Sequence, residues 1–230
     1  MSNTYFRFKQ FTVHHDRCAM KVGTDGVLLG ATAYGGRRIL DIGTGTGLVA
    51  MMMAQRFPLS MVTAIDIDKM AVEQAKENVE ASPFRDRIEI VNDDISNYCK
   101  EKEFDCIVCN PPFFEDSLRC PNEQRATARH AEALPFDVLI DRIAHLLSAE
   151  GIATIIIPSD IMSRIESECA YANLFIRRKI FIRTVERKMP KRVLVSFGKQ
   201  RTETEVCTQC LMEHGERSAW YNEVCKDFYL

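Results

Sequence analysis

The stretch DCIVCNPPFF, residues 105–114, combines residue types that could do chemistry. An apolar run leads to Asn110, and Pro111, Pro112 and Phe113 follow it. Because proline lacks an N–H and has a fixed φ, the two prolines end a strand and stiffen the chain beyond it. We therefore expect the Asn110 side-chain oxygen and the Pro111 carbonyl oxygen to be rigidly held hydrogen-bond acceptors.

A glycine-rich turn, DIGTGTG at residues 41–47, lies between an apolar run and the helical pattern LVAMMMAQRF. Glycines at such a turn let the backbone approach a ligand, which the N–H groups of the helix can hold. Leu48 stands where the dinucleotide fingerprint G-x-G-x-x-G would place its third glycine, which disfavours a pyrophosphate. Asp41 would also repel phosphate, but it suits a cationic amino-acid group.

Two further acids follow the next two predicted strands. Asp66 ends the second strand, where a carboxylate can accept both hydroxyls of a ribose. Asp94 follows the third strand, where it could meet an adenine amino group with the Ile95 N–H beside it. Each acid alone would more often be a surface or capping residue. Together with Asp41 they mark the carboxyl edge of an open α/β sheet and predict a ligand with ribose, adenine and amino-acid parts.

The elements that must position these residues alternate between strands and helices from residue 37 onward, which predicts βαβ units and a mostly parallel sheet. We expect helices over 69–81, capped by Asp68, and over 136–151, ended by Gly151. The last two strands are joined by a short turn, KMPK, and should be antiparallel. The seven predicted strands span residues 37–42, 60–66, 87–91, 104–109, 152–157, 174–185 and 192–198.

Composition indicates one cytoplasmic domain. The formal net charge of −2 excludes a globally polycationic chain, so any nucleic acid must bind a local patch. No apolar run approaches membrane-spanning length, and residues 1–10 lack the apolar core of a leader. We expect a core over 37–200, preceded by an extension over 1–36 and followed by an addition over 201–230.

Nine cysteines without a dense spacing framework indicate reduced thiols. Cys106 and Cys109 have C-x-x-C spacing, but they should lie on opposite faces of a strand and pack in the core. Cys207 and Cys210 could be half of a metal site or a redox pair, although no partner motif accompanies them. We expect no metal.

The glycine turn, the acids and N-P-P-F together resemble the class I S-adenosylmethionine-dependent methyltransferases, in which N-P-P-[YF] serves amino-group methylation. The resemblance implies a Rossmann-like, seven-stranded sheet with helices on both faces and an antiparallel last strand. It implies that residues 23–25 close over the methionine end of the cofactor. The residues implied to bind the cofactor are Gly23, Thr24, Asp25, Asp41, Gly43, Thr44, Gly45, Gly47, Asp66, Ile67, Asp94 and Ile95.

Three other segments resemble the bacterial tRNA1(Val) adenine-N6 methyltransferases. They are FTVHHDRCAMKVGTDGVLLGA at 11–31, EQRATARHA at 123–131 and DFYL at 227–230. This resemblance implies S-adenosylmethionine as cofactor, tRNA as partner and the adenine beside the anticodon as target. Phe113 replaces the tyrosine of the motif, which keeps a ring for stacking but removes a hydroxyl.

The implied chemistry explains the rigid acceptors. An exocyclic adenine amine is a weak nucleophile because its lone pair is delocalised into the ring. If Asn110 and Pro111 each accept one N–H, the nitrogen can pyramidalise and direct its lone pair at the methyl group, with no metal or strong base. Pro112 would fix this geometry and Phe113 would stack on the base. The alternative is that N-P-P-F is only a rigid loop after a strand.

A basic stretch, residues 177–193, is the candidate RNA contact in an otherwise acidic chain. A base in an anticodon loop costs little to extrude into a pocket. The alternative is a solvated hairpin whose charges keep an edge strand soluble. The residues predicted to contact substrate are Arg125, Arg129, Arg187, Lys188, Lys191 and Arg192.

Other functions remain open from the sequence. N-P-P-[YF] also occurs in enzymes that modify a protein glutamine, guanine N2 of ribosomal RNA or adenine in DNA. A NAD-dependent oxidoreductase built on a similar sheet is a second alternative. A module that binds RNA but catalyses no reaction is a third.

Overall fold

The computed structural model describes residues 3–18, 21–98, 104–112 and 134–230. The predictions for Phe113, Arg125 and Arg129 lie outside the described residues.

Strands and helices alternate through the middle of the chain, as expected from the sequence. The strands are β1 Tyr5–Arg7, β2 Thr12–His14, β3 Arg38–Ile42, β4 Met61–Asp66, β5 Ile88–Asn92, β6 Phe104–Cys109, β7 Leu147–Pro158, β8 Phe175–Val185, β9 Arg192–Gly198, β10 Glu205–Glu213 and β11 Glu216–Arg217. The helices are α1 Thr24–Thr32, α2 Leu48–Arg56, α3 Lys69–Glu80, α4 Phe136–Leu146, α5 Met162–Tyr171 and α6 Ala219–Cys225.

The described residues form a main sheet in the order β11-β10-β8-β9-β7-β6-β3-β4-β5 and a separate β1–β2 hairpin. Strands β3 to β7 are parallel, and β9 is antiparallel to both β7 and β8. This confirms the mostly parallel sheet, its seven predicted strands and the antiparallel pairing of the last two of them, within a sheet of nine described strands. β10 then adds in parallel to β8, and β11 pairs with β10. Among the described strands, β8 and β10 therefore point toward the same sheet edge as β3 to β7.

Two apolar clusters cover the two faces of the sheet. One packs α1, α2 and the N-terminal aromatic rings, and the other packs α4 and α5. Cys106 belongs to the first cluster and Cys109 to the second, which confirms their predicted placement on opposite faces. On β10, Cys207 is exposed and Cys210 is buried, so these two also face different ways. Among the described residues, no group of three or more histidine, cysteine, aspartate or glutamate side chains could hold a metal ion.

The end predicted for the helix over 136–151, which is α4 in the structure, was wrong. α4 stops at Leu146, and Gly151 lies inside β7 rather than at a helix cap. A Cβ at Gly151 would come within 2.8 Å of both the Phe104 carbonyl oxygen and the Leu147 side chain. Gly151 is thus required for close strand packing, beside an irregular register between β6 and β7.

No helix in the described part of the chain is long and apolar enough to cross a membrane.

Candidate active site

Strand register brings the predicted site residues to one edge of the sheet. Ile42 pairs with Cys109 on β6 and with Ile65 on β4, and Asp66 pairs with Asn92 on β5. Asn110, the glycine turn and Asp66 therefore follow neighbouring strand ends. This is the carboxyl edge at which open α/β sheets bind ligands.

The glycine turn leaves open space where side chains would otherwise stand. Gly43, Gly45 and Gly47 have φ values of 68°, 56° and 81°, in the left-handed region that strains other residues. A Cβ built on Gly43 or Gly45 would meet no atom within 4 Å. The backbone is thus open on that side, where a ligand could approach it closely.

Asp66 joins three segments of this edge. Its carboxylate accepts the Gly45 N–H at 2.8 Å and the Asp68 N–H at 2.9 Å, and its carbonyl accepts from the Asn92 side chain at 3.0 Å. Burial raises the pKa of Asp66. A carboxylate has about four acceptor positions, so each oxygen retains capacity for a hydroxyl. Asp68 itself accepts the Met70 N–H, which confirms the predicted cap of α3.

Asp41 lies beneath the glycine turn rather than on its open side. Its side chain is buried and accepts from the Thr44 hydroxyl at 2.6 Å and from the Ala50 N–H at 3.1 Å. It therefore holds the turn against the start of α2. Burial raises the pKa of Asp41 from 3.8 to about 7 against the opposing effect of these two hydrogen bonds. Direct contact between Asp41 and a ligand stays a prediction.

This raised pKa predicts a pH-dependent stability. Between about pH 4 and pH 7 the folded protein keeps a proton on Asp41 that the unfolded chain has lost, so the free energy of unfolding falls as pH rises. The loss should amount to a few kcal/mol, on the order of 4 at most. In the Asp41→Asn variant this contribution should vanish. Urea unfolding of both proteins at pH 5, 6 and 7 tests it, and parallel stability curves would contradict it.

Asn110 presents an acceptor without a partner. The Asn110 Oδ1 atom is buried and has no hydrogen-bond partner among the described residues. Pro111 beside it is buried and Pro112 is exposed. Because buried polar atoms nearly always have partners, an unpaired oxygen at this edge of the sheet indicates a site for a hydrogen-bond donor.

The remaining predicted cofactor residues also lie at this edge. Asp94 accepts the Ser96 N–H at 2.9 Å in a tight turn, and Ile95 is buried. Arg142 on α4 secures the turn by donating to the Ile95 carbonyl at 3.2 Å. Ile67 is 68% exposed beside Asp66.

The start of α1 reaches the same edge through an ion pair. Gly23 precedes the helix, Thr24 opens it, and Asp25 accepts from Arg192 Nε at 2.9 Å. Arg192 pairs with Pro158 at the carboxyl end of β7. Arg192 is thus bound to Asp25, a contact that the sequence did not suggest for either residue.

The rest of the basic hairpin is divided between paired and exposed side chains. Lys179 forms an ion pair with Glu166, and Arg178 donates to the Thr32 carbonyl at 2.7 Å. Arg187, Lys188 and Lys191 lie in the turn between β8 and β9 and are exposed. This turn is at the carboxyl edge of the sheet, the edge that holds Asn110 and the glycine turn.

Sequence reasoning missed two polar residues on α3. Gln74 and Asn78 are each 1% exposed and hydrogen-bond backbone groups of the N-terminal segment. They are four residues apart and adjoin Ala75 and Val79, which are buried on the apolar face of α3. Two amides at that spacing beside an apolar face are the signal that could have revealed them.

Comparisons with known proteins agree with this geometry. The family model described as "Methyltransferase small domain" matches residues 22–133. A protein from Bacteroides thetaiotaomicron named tRNA1(Val) (adenine(37)-N6)-methyltransferase is 47% identical, covering all of this chain and 99% of its own length. A protein of the same name from Phocaeicola vulgatus is 49% identical over all of this chain and 99% of its length.

Solved structures share the fold at low identity. A predicted O-methyltransferase from Agrobacterium tumefaciens superposes with a TM-score of 0.67 at 20% identity, covering 89% of this chain and 96% of that one. A glycopeptide N-methyltransferase complexed with S-adenosylmethionine has a TM-score of 0.57 at 12% identity, covering 76% and 95% of the two chains. With full-length relatives above 40% identity, the chain belongs to the family of tRNA1(Val) (adenine(37)-N6)-methyltransferases.

Proposed function

We propose that this protein is an S-adenosylmethionine-dependent enzyme that methylates N6 of an adenine in tRNA, the adenine 3′ of the anticodon of tRNA1(Val). The observation that carries the proposal is the unpaired, buried Asn110 oxygen at the sheet edge that also carries the glycine turn. Family membership supports the tRNA substrate. A tRNA substrate also supports a cytoplasmic location.

The cofactor would lie along the glycine turn and supply an activated methyl group when bound. Gly43 and Gly45 would let it approach the backbone, and Asp66 would accept its ribose hydroxyls. Asp94 and the Ile95 N–H would face its adenine. Residues 23–25 would cover the methionine end, consistent with the contact that brings Asp25 to this edge.

Asn110 and Pro111 would orient the target amine. The Asn110 oxygen and the Pro111 carbonyl would each accept one N–H, which turns the nitrogen lone pair toward the methyl group. The two oxygens would stabilise the positive charge that develops on the nitrogen as the N–C bond forms and the S–C bond breaks, so no strong base is needed before transfer. The surplus proton would then leave the nitrogen to solvent. Phe113 would stack on the extruded base.

The exposed cations at the turn between β8 and β9 would bind RNA phosphates. Arg187, Lys188 and Lys191 lie at the same sheet edge as Asn110, so an RNA strand with its base in the site could reach them. Arg192 would contribute less directly because its Nε atom is bound to Asp25. Arg125 and Arg129 stay predicted substrate contacts.

Replacing Arg187, Lys188 and Lys191 together by alanine should weaken tRNA binding while leaving the rate at saturating tRNA nearly unchanged. Each lost phosphate contact should also lower the dependence of log Kd on log salt by about 0.7 to 0.9. Filter binding at several salt concentrations measures both. The control is Arg37→Ala combined with Arg201→Ala, which removes exposed cations at the opposite sheet edge. Equal loss in the control would reject the proposed surface.

Incubation with labelled S-adenosylmethionine and separate tRNA, ribosomal RNA, DNA and protein fractions tests the activity. We expect label in tRNA alone, recovered as N6-methyladenosine after digestion. Label in methylated guanine, in DNA or in a glutamine residue would overturn the substrate assignment. Tight binding of NAD without binding of S-adenosylhomocysteine would overturn the cofactor.

A further inference from the structure

The N-terminal segment His14–Arg17 is fastened to helix α3 by buried amides. The His14 N–H donates to Asn78 Oδ1, and Asn78 Nδ2 donates back to the His14 carbonyl, each at 2.9 Å. The Arg17 N–H donates to Gln74 Oε1 at 3.1 Å, and the Arg17 side chain pairs with Glu77. The path of this segment is therefore set by polar contacts with α3 as well as by apolar packing.

Asn78 also holds the glycine turn. Its Nδ2 atom donates a second hydrogen bond to the Thr46 carbonyl at 2.9 Å. A Cβ on Gly47 would come within 3.5 Å of Ala75, so the turn packs on the same helix. One buried side chain thus binds the backbone of two segments that are far apart in the sequence.

The segment continues from Arg17 toward the ligand edge. Cys18 is partly buried, and the pKa of its thiol is raised to about 11, first by burial and then by the carboxylates of Asp66 and Asp68. The contact that links this segment to the glycine turn directly is therefore the pair of Asn78 hydrogen bonds to His14 and Thr46.

We propose that Asn78 is a positioning residue for the cofactor: it binds the backbone of His14 and of Thr46 with one side chain, and so holds the glycine turn against the segment His14–Arg17 in the conformation that would bind the cofactor. The inference rests on the proposed function. A leucine at this position would be similar in size but would leave the His14 N–H, the His14 carbonyl and the Thr46 carbonyl without this partner.

The test is calorimetric titration with S-adenosylhomocysteine, using Asn78→Leu, Gln74→Leu and the control Ser82→Ala. Ser82 is buried in the turn after α3, accepts the Phe84 N–H and donates to the Val79 carbonyl, so its loss also removes two buried hydrogen bonds. We expect Asn78→Leu to raise the Kd about tenfold or more and Gln74→Leu to raise it severalfold. Ser82→Ala should lower Tm but keep the Kd within about twofold. The rate at saturating S-adenosylmethionine should change less than about threefold in Asn78→Leu, with the loss appearing in KM.

A Kd within about twofold of the unaltered chain for Asn78→Leu would overturn the inference, as would an equal rise in Ser82→Ala at the same loss of Tm. If Asn78→Leu does not fold, Asn78→Asp decides by the same criterion, because it keeps an acceptor for the His14 N–H but loses the amide donor to the Thr46 carbonyl. If the unaltered chain does not bind S-adenosylhomocysteine, the proposed function fails as well. Normal binding by the unaltered chain with no effect of these substitutions would reject only the role of Asn78.

Discussion

Replacing Asn110 by alanine is expected to lower kcat by about 10²–10³-fold, the loss typical when one preorganised polar group that stabilises a transition state is removed. The buried Asn110 oxygen has no partner among the described residues, so it is available to accept a hydrogen of the target amine. Because the proposed contact of Asn110 with the amine would strengthen as charge develops on the nitrogen, the loss should appear in the rate of transfer. The Kd values for S-adenosylhomocysteine and for tRNA should change only a few-fold.

Single-turnover transfer of labelled methyl groups to tRNA measures this effect. Asn222→Ala is the control, because Asn222 is an exposed asparagine on α6 whose side chain donates to the Arg217 carbonyl. It should leave the rate unchanged. If the Asn110→Ala protein transfers methyl groups at the normal rate, N-P-P-F is only a rigid loop after a strand, and the proposed mechanism is rejected.

Replacing Asp66 by alanine is expected to raise the Kd for S-adenosylhomocysteine by about 10²-fold. Each hydrogen bond to a charged group contributes about 1.5–3 kcal/mol, and a factor of ten corresponds to about 1.4 kcal/mol. The substitution would remove the proposed acceptor of the ribose hydroxyls. It would also release the Gly45 N–H that Asp66 now holds at 2.8 Å, which loosens the glycine turn. Cofactor binding should therefore weaken for two reasons: the ribose hydroxyls lose their acceptor, and the glycine turn loses the hydrogen bond that holds it.

Asp68→Ala is the matched control two residues away. Asp68 caps α3, so its removal should lower the free energy of unfolding by about 1 kcal/mol. It should leave the Kd for S-adenosylhomocysteine within a few-fold of the normal value. Calorimetric titration and thermal unfolding of both variants separate the two effects. Similar Kd values for Asp66→Ala and Asp68→Ala would show that Asp66 has no special role in cofactor binding.

The sheet was predictable because its strands are short β-branched runs, each bounded by a turn or a helical pattern. Gly151 misled the prediction because a glycine that follows a helical pattern usually caps the helix. Its real requirement, close approach to the Phe104 carbonyl, comes from a neighbouring strand distant in sequence. β10 was not predicted for a related reason. Its residues do not alternate regularly between buried and exposed, and its strand conformation depends on pairing with β8, which is distant in sequence.

The site was predictable where its residues follow strand ends. Asp66 and Asn110 are at the carboxyl edge because parallel strands bring their ends together, which spacing alone implies. The contacts of Asn78 with His14 and Thr46, and of Asp25 with Arg192, could not be derived in this way. They depend on how the N-terminal segment and α1 pack on the core, and local patterns do not encode such long-range packing.

The most direct test is an experimental structure of the protein bound to S-adenosylhomocysteine and an anticodon stem-loop RNA with an adenine 3′ of the anticodon. We expect the exocyclic nitrogen of that adenine within about 3 Å of both Asn110 Oδ1 and the Pro111 carbonyl, on the side that faces the sulfur. An amine held by other groups, or an Asn110 oxygen turned away from the bound base, would contradict the proposed mechanism.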